Sequence, residues 1–198
     1  ISIVSTVVYI IFSSMAAFSL SKSSLKCKNF LFWVIQFALM FNAYTLSVPQ
    51  YLILSKTGMI DTYWVYILPY LATTLGVFLV KQYMEGYVAD AFIEAARIDG
   101  ASYYKIFWTI VMPLIKPAWL TLALFSFRDT WAMVPNGTIF SEELKTLPQI
   151  AGQITAGGIA RAGSAMAITT IMMIPPIAVY LISQSSVVEA MSSAGIKE

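Results

Sequence analysis

Few residues in this 198-residue sequence could do chemistry. There is no histidine and a single cysteine, Cys27. Ser-His-Asp and Cys-His nucleophiles, His-containing zinc sites and imidazole proton relays are therefore excluded together. Cys27 has no partner for an internal disulfide and lies between Lys26 and Lys28, so it reads as a reduced loop thiol, with acylation as the other reading. No G-x-x-x-x-G-K-[ST] phosphate loop is present. What remains is charge in unusual places. One group is the stretch EAARIDGASYYKIFWTIVMP, Glu94 to Pro113, with two acids, two bases and a glycine between long apolar runs. The other is Arg128 and Asp129, followed by Trp131, inside an apolar run of their own.

The elements that must hold these groups follow from composition. The chain is 59% hydrophobic and 11% charged, with a mean hydropathy of +0.76. A soluble domain is about 45–50% apolar and about 25% charged, so the solvent here is lipid. Net charge is +2 and no basic cluster interleaves with aromatics, which leaves a nucleic-acid partner without support. A helical span needs roughly 20 apolar residues, and five segments meet that length. They are Ile1 to about Leu20, about Phe30 to Val48 ending at Pro49, about Tyr63 to Val80, Pro117 to about Val134, and about Ala165 to Ser183. Alternating ten-residue segments, the mark of a membrane β-barrel, are missing. The fold class expected is all-α: a polytopic transmembrane helical bundle forming one domain over 1–198.

Orientation follows from basic residues in short connections. Lys22, Lys26 and Lys28 crowd the first, and Lys81, Arg97, Lys105 and Lys116 the third. The second holds Lys56 with Asp61, and the fourth, 135–164, balances Lys145 and Arg161 against Glu142 and Glu143. The first and third connections and the C-terminus are expected to face the cytoplasm, with 135–164 an external loop rich in glycine (Gly152, Gly157, Gly158, Gly163). Parity then places Ile1 outside and calls for one further span upstream, six in all. The start at Ile1, apolar and without methionine, agrees with a missing N-terminal portion.

The charged stretch falls in the third connection, 84–116. Val88, Ala91, Phe92, Ala95 and Ile98 recur at helical spacing and predict an apolar face resting on the spans. Glu94 and Arg97 form an i,i+3 pair away from it. Gly100 follows where a helix closes through a left-handed residue. Ser102 can cap a second helix with Ile106, Phe107, Ile110 and Val111 on one face, ended by Pro113. The pattern predicts two short amphipathic helices with a glycine elbow at the inner membrane surface. A plain linker between spans is the simpler reading, but 35 or so residues of capped helix are more than a linker requires. A docking element for a cytoplasmic partner fits.

The residues also carry a resemblance. Glu94-Ala95-Ala96, Gly100, Ile110 and Met112-Pro113 at their spacing resemble the EAA motif of permease subunits in binding-protein-dependent ABC importers. The longer string EAARIDGASYYKIFWTIVMPLIKP is similar to the carbohydrate subclass, notably the smaller permease subunit of maltose-type systems. TLPQ at Thr146 to Gln149 and the tail AGIKE fit the same subclass, and the likeness covers nearly the whole chain. Met112 stands where leucine is usual, Ala89 where many relatives open the motif with proline, and Ala132 where an asparagine is common. The resemblance implies the type I importer permease fold. It makes Glu94, Ala95, Ala96, Arg97, Ile98, Asp99 and Gly100 the coupling elements that dock on a cytoplasmic ATPase. It also implies a second permease subunit, two ATPase subunits that carry ATP and Mg, an extracytoplasmic solute-binding protein meeting the outer loop, and a sugar substrate. No cofactor is expected on this chain.

Arg128 and Asp129 lie about 11 residues into their span, roughly 16 Å deep at 1.5 Å per residue. Charge at that depth costs about 2.5–3.5 kcal/mol on insertion scales and tends to face protein or water. With Trp131 they are candidates to line a translocation pathway; a structural ion pair, or a span displaced toward the outer interface, are the other readings. Gln36, Asn42 and Tyr44 are further pathway candidates that interhelical hydrogen bonding explains as well. An ion-gradient-driven transporter would show repeated broken spans with several intramembrane carboxylates, where only Asp129 qualifies. An intramembrane enzyme would need a nucleophile and base that the sequence barely supplies.

Overall fold

The computed structural model describes residues 1–22, 26–41, 43–135, 137–156 and 162–195, the side chains of 43 and 185–195 excepted. Every regular element among them is helical. The helices are α1 (Ser2–Lys22), α2 (Lys28–Ala38), α3 (Ala43–Lys56), α4 (Trp64–Leu71), α5 (Thr74–Tyr87), α6 (Asp90–Ile98), α7 (Tyr103–Ile106), a π-helical turn (Phe107–Val111), α8 (Met112–Leu114), α9 (Lys116–Trp131), a 3₁₀ turn (Glu142–Leu144), α10 (Leu147–Thr155) and α11 (Ala162–Gly195).

Two unbroken helices are long and apolar enough to cross a membrane, α1 and the Ala162–Gln184 part of α11. Neither contains a charged residue before its end. The third expected span is a bent pair, α4 and α5, meeting at 42°, and it continues to Tyr87 rather than stopping at Val80. The second, expected to end at Pro49, is divided instead. α2 stops at Ala38, α3 begins at Ala43, and Pro49 lies inside α3. The helix does not end there, because a proline can be accommodated where neighbouring groups and local adjustments re-satisfy the freed carbonyl. The fourth is α9, which meets the Tyr103–Leu114 rod at 80°. Such a crossing sets the rod across the spans rather than along them.

α1 is the axis of the packing and lies against α4, α5 and α9. Its buried face combines small and hydroxyl side chains, Ser5, Ser13, Ser14 and Ala17, with the larger Tyr9, Ile10, Phe18 and Leu20. Small residues let backbones approach closely where lipid offers no hydrophobic drive between helices. The core lies toward the Lys22 end of α1. There Ala17 and Phe18 meet Val80, Met84 and Val88 of the α5 end, and Ile106, Phe107, Val111 and Ile115 of the charged segment. At the opposite end Leu54, Val65, Tyr66 and Ile139 form a smaller cluster.

Three interruptions are met by an aromatic side chain. Pro176 has no N–H to give the carbonyl of Met172, four residues back in α11. The indole Nε1–H of Trp131 donates to that oxygen at 3.0 Å. At the 80° elbow the indole of Trp119 donates to Met112 O at 3.1 Å. In the α4–α5 bend the hydroxyl of Tyr9 donates to Thr73 O at 3.2 Å. Pro113 does not end its helix as expected. The π-helical turn before it widens the backbone, Met112 N–H reaching back to Phe107 O, and the rod continues to Leu114 before bending at Ile115.

Trp131→Phe retains the ring and deletes the donor. Stability against sodium dodecyl sulfate titration from mixed micelles should fall by about 1–2 kcal/mol, the cost of an orphaned carbonyl in an apolar setting. Unchanged stability would show that Met172 O needs no cap.

Candidate functional site

The charged segment is organised by local rules. Asp90 sits in the first turn of α6 and Arg97 in the last, each favourable to the helix dipole. α6 ends in a Schellman motif: Ala101 N–H donates to Ala96 O at 2.9 Å and Gly100 N–H to Arg97 O at 3.0 Å. Gly100 has φ +78°, and a Cβ there would meet nothing within 4 Å, so the demand is for backbone conformation and not for space. Ser102 Oγ accepts from Lys105 N–H at 3.3 Å and caps α7, as its position predicts. Arg97 does not pair with Glu94. Its guanidinium lies 4.6 Å over the Tyr103 ring and donates to Ala101 O at 3.4 Å, bracing the elbow from within.

The face of α6 that packs on the spans is the reverse of the expected one. Ile93 is 6% exposed and Ala96 packs beside it on the core. Phe92 is 52% exposed, Ile98 86%, and Ala91, Glu94 and Ala95 are exposed as well. On the helical wheel Ala91, Ala95 and Ile98 point away from Ile93. An apolar strip flanked by Glu94 thus looks outward. In the second helix Ile106, Phe107 and Val111 are buried and Ile110 half-buried, as the spacing predicts. Between the two helices lies an open recess of about 460 Å³ bordered by Ala96, Asp99, Gly100, Ser102, Lys105 and Thr109.

This segment is tied to the bundle at α1. Lys22 Nζ meets Asp90 Oδ1 at 2.7 Å, and Phe18 packs against Tyr103 and Phe107 with centroids 6.3 and 5.6 Å apart. At the other end of the molecule Asp61 makes a second clamp. Its φ is +58°, which Asp tolerates better than most residues, and its N–H donates to Thr138 O at 2.9 Å. Oδ1 accepts from the N–H groups of Phe140 and Ser141, both at 2.9 Å, and Oδ2 from the Ser141 hydroxyl. The Ser141 hydroxyl first, then the amides of Ser141 and Phe140, hold this carboxyl below the usual carboxylate range. Tyr66 Oη adds a bond to Leu144 O at 2.8 Å. The expected outer loop is thus partly helical, with Gly152 inside α10; Gly157, Gly158 and Arg161 lie outside the described residues.

Toward the middle of the bundle, Arg128 borders a recess of about 220 Å³ between α9 and α11, with Phe125, Phe127, Pro176, Val179 and Tyr180. Asp129 is exposed and close enough to Tyr9 and Tyr70 to act on both electrostatically. The two charges do not form an ion pair within 4 Å. Trp131, stacked on Phe127 at 5.7 Å, spends its N–H on Met172 O. That bond sets the end of α9 level with a point ten residues into α11, roughly 15 Å along it. Gln36 is exposed on α2, which packs on α5 and α1 and not with the Arg128 group, and Tyr44 is exposed at the start of α3. Asn42 lies outside the described residues.

Residues 9–193 match the sequence profile of the family described as "Binding-protein-dependent transport system inner membrane component". This chain belongs to that family. It is 30% identical over its whole length to an arabinooligosaccharide transport system permease, AraQ, of Halalkalibacterium halodurans, covering 71% of that protein. It is 28% identical to a melibiose/raffinose/stachyose import permease, MelC, of Bacillus subtilis, over 98% of this chain and 71% of that one. An sn-glycerol-3-phosphate permease, UgpE, of Yersinia enterocolitica is 29% identical over 90% of the chain and 65% of the relative. In fold it is similar to a bacterial ABC transporter involved in the import of alginate, with a TM-score of 0.71 and 24% identity over 92% of this chain and 72% of the other. The chain is a permease subunit of an ABC importer.

Three features of this permease are not legible in the sequence: the Lys22–Asp90 tie, the Asp61 clamp, and the Tyr9 contact with the α4–α5 bend. Each joins residues more than 60 positions apart. The proline pair 175–176 removes the donors for two helical carbonyls, a signal that an outside donor is needed, but only the structure shows that Trp131 serves one of them.

The Asp61 clamp carries a sign. A carboxyl whose folded-state pKa is lowered stabilises the fold above the unfolded pKa and loses that contribution as pH falls through the folded value. Limited proteolysis of the 137–146 loop should therefore be flat from pH 8 to 5 and speed up under stronger acid. Asp61→Gly relieves the positive φ and deletes the carboxylate, so faster cleavage already at pH 7 is expected. A protected loop in that variant would show that the carboxylate is idle. For the elbow, Gly100→Ala should cost about 1 kcal/mol of helix-end stability and Gly100→Asn less, read by amide exchange at residues 99–101.

Proposed function

We propose that this permease imports a sugar or oligosaccharide and is driven by separate ATPase subunits that dock on α6 and the elbow at Gly100. The relatives named for arabinooligosaccharides and for melibiose, raffinose and stachyose support the substrate class. The observation that carries the docking assignment is the outward apolar strip Ala91, Ala95 and Ile98, with Ile98 86% exposed beside Glu94. A helix whose inner face is already satisfied by Ile93 and Ala96 has no use within this chain for a second apolar face.

In this reading Glu94, Ala95, Ala96, Arg97, Ile98, Asp99 and Gly100 form the coupling element on the cytoplasmic side. Ile98 and Ala95 fill a cleft of the ATPase, and Gly100 with the Arg97–Tyr103 brace keeps the two helices at a fixed angle. ATP and Mg²⁺ are held by the partner subunits. A second permease chain completes the pathway, and an extracytoplasmic binding protein delivers solute to the 135–164 side, where the Asp61 clamp presents a fixed surface. Arg128 and Asp129, at mid-depth, line the route; Gln36 and Tyr44 stand further from it. Closure of the ATPases favours one of two arrangements of the spans, and the difference in their stabilities moves the solute.

Purification of the full complex from its native membrane should bring ATP-hydrolysing chains with this permease. Ile98→Glu should release them while the permease still inserts; their undiminished recovery would remove the docking assignment. Arg128→Ala should weaken solute-stimulated ATP hydrolysis across a panel of oligosaccharides, and an unchanged half-saturating concentration would remove Arg128 from the pathway.

A further inference from the structure

The backbone break between α4 and α5 is capped from another helix, and that helix is tied to the coupling segment. Thr73 is the N-cap of α5, extended at φ −66° and ψ 123°, and Gly76 is the third residue of the helix, whose N–H has no helical partner. An N-cap threonine ordinarily accepts such a proton itself. Here the Thr73 hydroxyl turns back and donates to Tyr70 O. Tyr9 of α1 takes its place: Tyr9 Oη accepts from Gly76 N–H at 2.8 Å and donates to Thr73 O at 3.2 Å. The ring is held edge-on by Tyr70, centroids 4.9 Å apart. Gly76 leaves room for it, since a Cβ there would stand 2.6 Å from the Tyr9 oxygen.

The other end of α1 belongs to the coupling segment. Lys22 meets Asp90 at 2.7 Å with its side chain 7% exposed, and Phe18 is wedged against Tyr103 and Phe107. Between Tyr9 and Lys22 the helix is unbroken, 13 residues or roughly 20 Å. A continuous helix held at both ends passes displacement along its axis.

We infer that α1 transmits movement of the coupling segment to the α4–α5 break, with Tyr9 as the positioning residue that decides the bend. The break has two satisfied arrangements. In one, Tyr9 caps Gly76 while the Thr73 hydroxyl, beside it, gives its proton to Tyr70 O, as observed. In the other, Tyr9 is withdrawn by α1 and the Thr73 hydroxyl rotates forward to cap Gly76. Neither leaves the Gly76 amide bare in a medium without water, so the break can switch instead of unfolding. The inference rests on the ATP-coupled reading above.

The two hydroxyls then act in opposite directions, which a merely structural contact would not. The test uses the complete importer in lipid nanodiscs, with Cys27→Ser and spin labels introduced by Leu68→Cys on α4 and Gln82→Cys on α5. Distances are read at rest and after trapping with ATP and orthovanadate. Trapping should shift the distance between the labels. Tyr9→Phe should give the trapped distance already at rest, with solute-independent ATP hydrolysis raised roughly 3–10-fold, the shift expected for one lost hydrogen bond. Thr73→Val should hold the resting distance under trapping and slow hydrolysis by a similar factor. Labels that do not move on trapping, or variants that change the distance in the same direction, would overturn the inference while vanadate-sensitive hydrolysis left the ATP-coupled reading standing. Absence of vanadate-sensitive hydrolysis in the purified complex would end both.

Discussion

A backbone N–H or C=O exposed to hydrocarbon has no water to bond, so a membrane helix can break only where something else supplies the partner. The described part of this permease obeys that constraint at three places. Tyr9 serves the α4–α5 bend, Trp119 the 80° elbow, and Trp131 the gap left by Pro176. In each case the partner is an aromatic side chain carrying one polar group, with an apolar body that packs and a tip that bonds. Tyr9 and Trp131 reach across to another helix. The same contacts that make the breaks tolerable therefore also fix α1 to α4–α5 and α9 to α11. Remove the pins and the bends lose their partners, while the helices on either side keep their own ladders.

Bent spans meet through α1, which gives that helix a different standing from the rest. Its apolar length identifies it as a span, and nothing else in its sequence singles it out. Its buried face mixes hydroxyls and alanine, which allow close approach, with Tyr9, Ile10, Phe18 and Leu20, and directional contacts fix its position: Tyr9 at mid-helix, Phe18 and Lys22 at the end. Lys22–Asp90 joins a nearly buried ammonium to a carboxylate that is largely exposed. An exposed partner screens the pair, and such bonds stabilise little on their own. The aromatic wedge of Phe18 between Tyr103 and Phe107 supplies the packing that the ion pair only orients.

The legible and illegible parts of the structure divide along range. Local rules were readable: the left-handed Gly100, the Ser102 cap and the buried Ile106–Phe107–Val111 face depend on neighbours within one or two turns. Periodicity also found α6 but assigned its face the wrong way round. An amphipathic pattern reports that one side is apolar and says nothing about which of two surfaces it meets. On α6 both sides carry apolar residues, Ile93 and Ala96 inward and Ala91, Ala95 and Ile98 outward, and only the packing separates them. The second span failed for a related reason. Hydropathy is continuous from Phe30 to Val48, yet the backbone divides before Ala43, and Pro49, read as a stop, is carried inside α3. Among the pathway candidates, Trp131 has its polar atom committed to α11, leaving Arg128 and Asp129 as the charged candidates on α9.

The geometry of the charged segment explains how a rod with a π-helical turn keeps its shape. An 80° bend without support would dissipate movement at Ile115. Ile115 is instead fully buried beside Val111 and Ile106, and Trp119 reaches back past the bend to Met112 O. On the other side of the segment, Arg97 locks over Tyr103 and the Schellman bonds close α6 against Ala101. Bend and elbow are thus each braced by contacts of their own. Their partners lie within the segment or a few residues beyond it. The joint at Thr73 is bonded instead by the Tyr9 hydroxyl of a distant helix, with Ser13 of that helix beside it and the Thr73 hydroxyl three residues from the Gly76 amide.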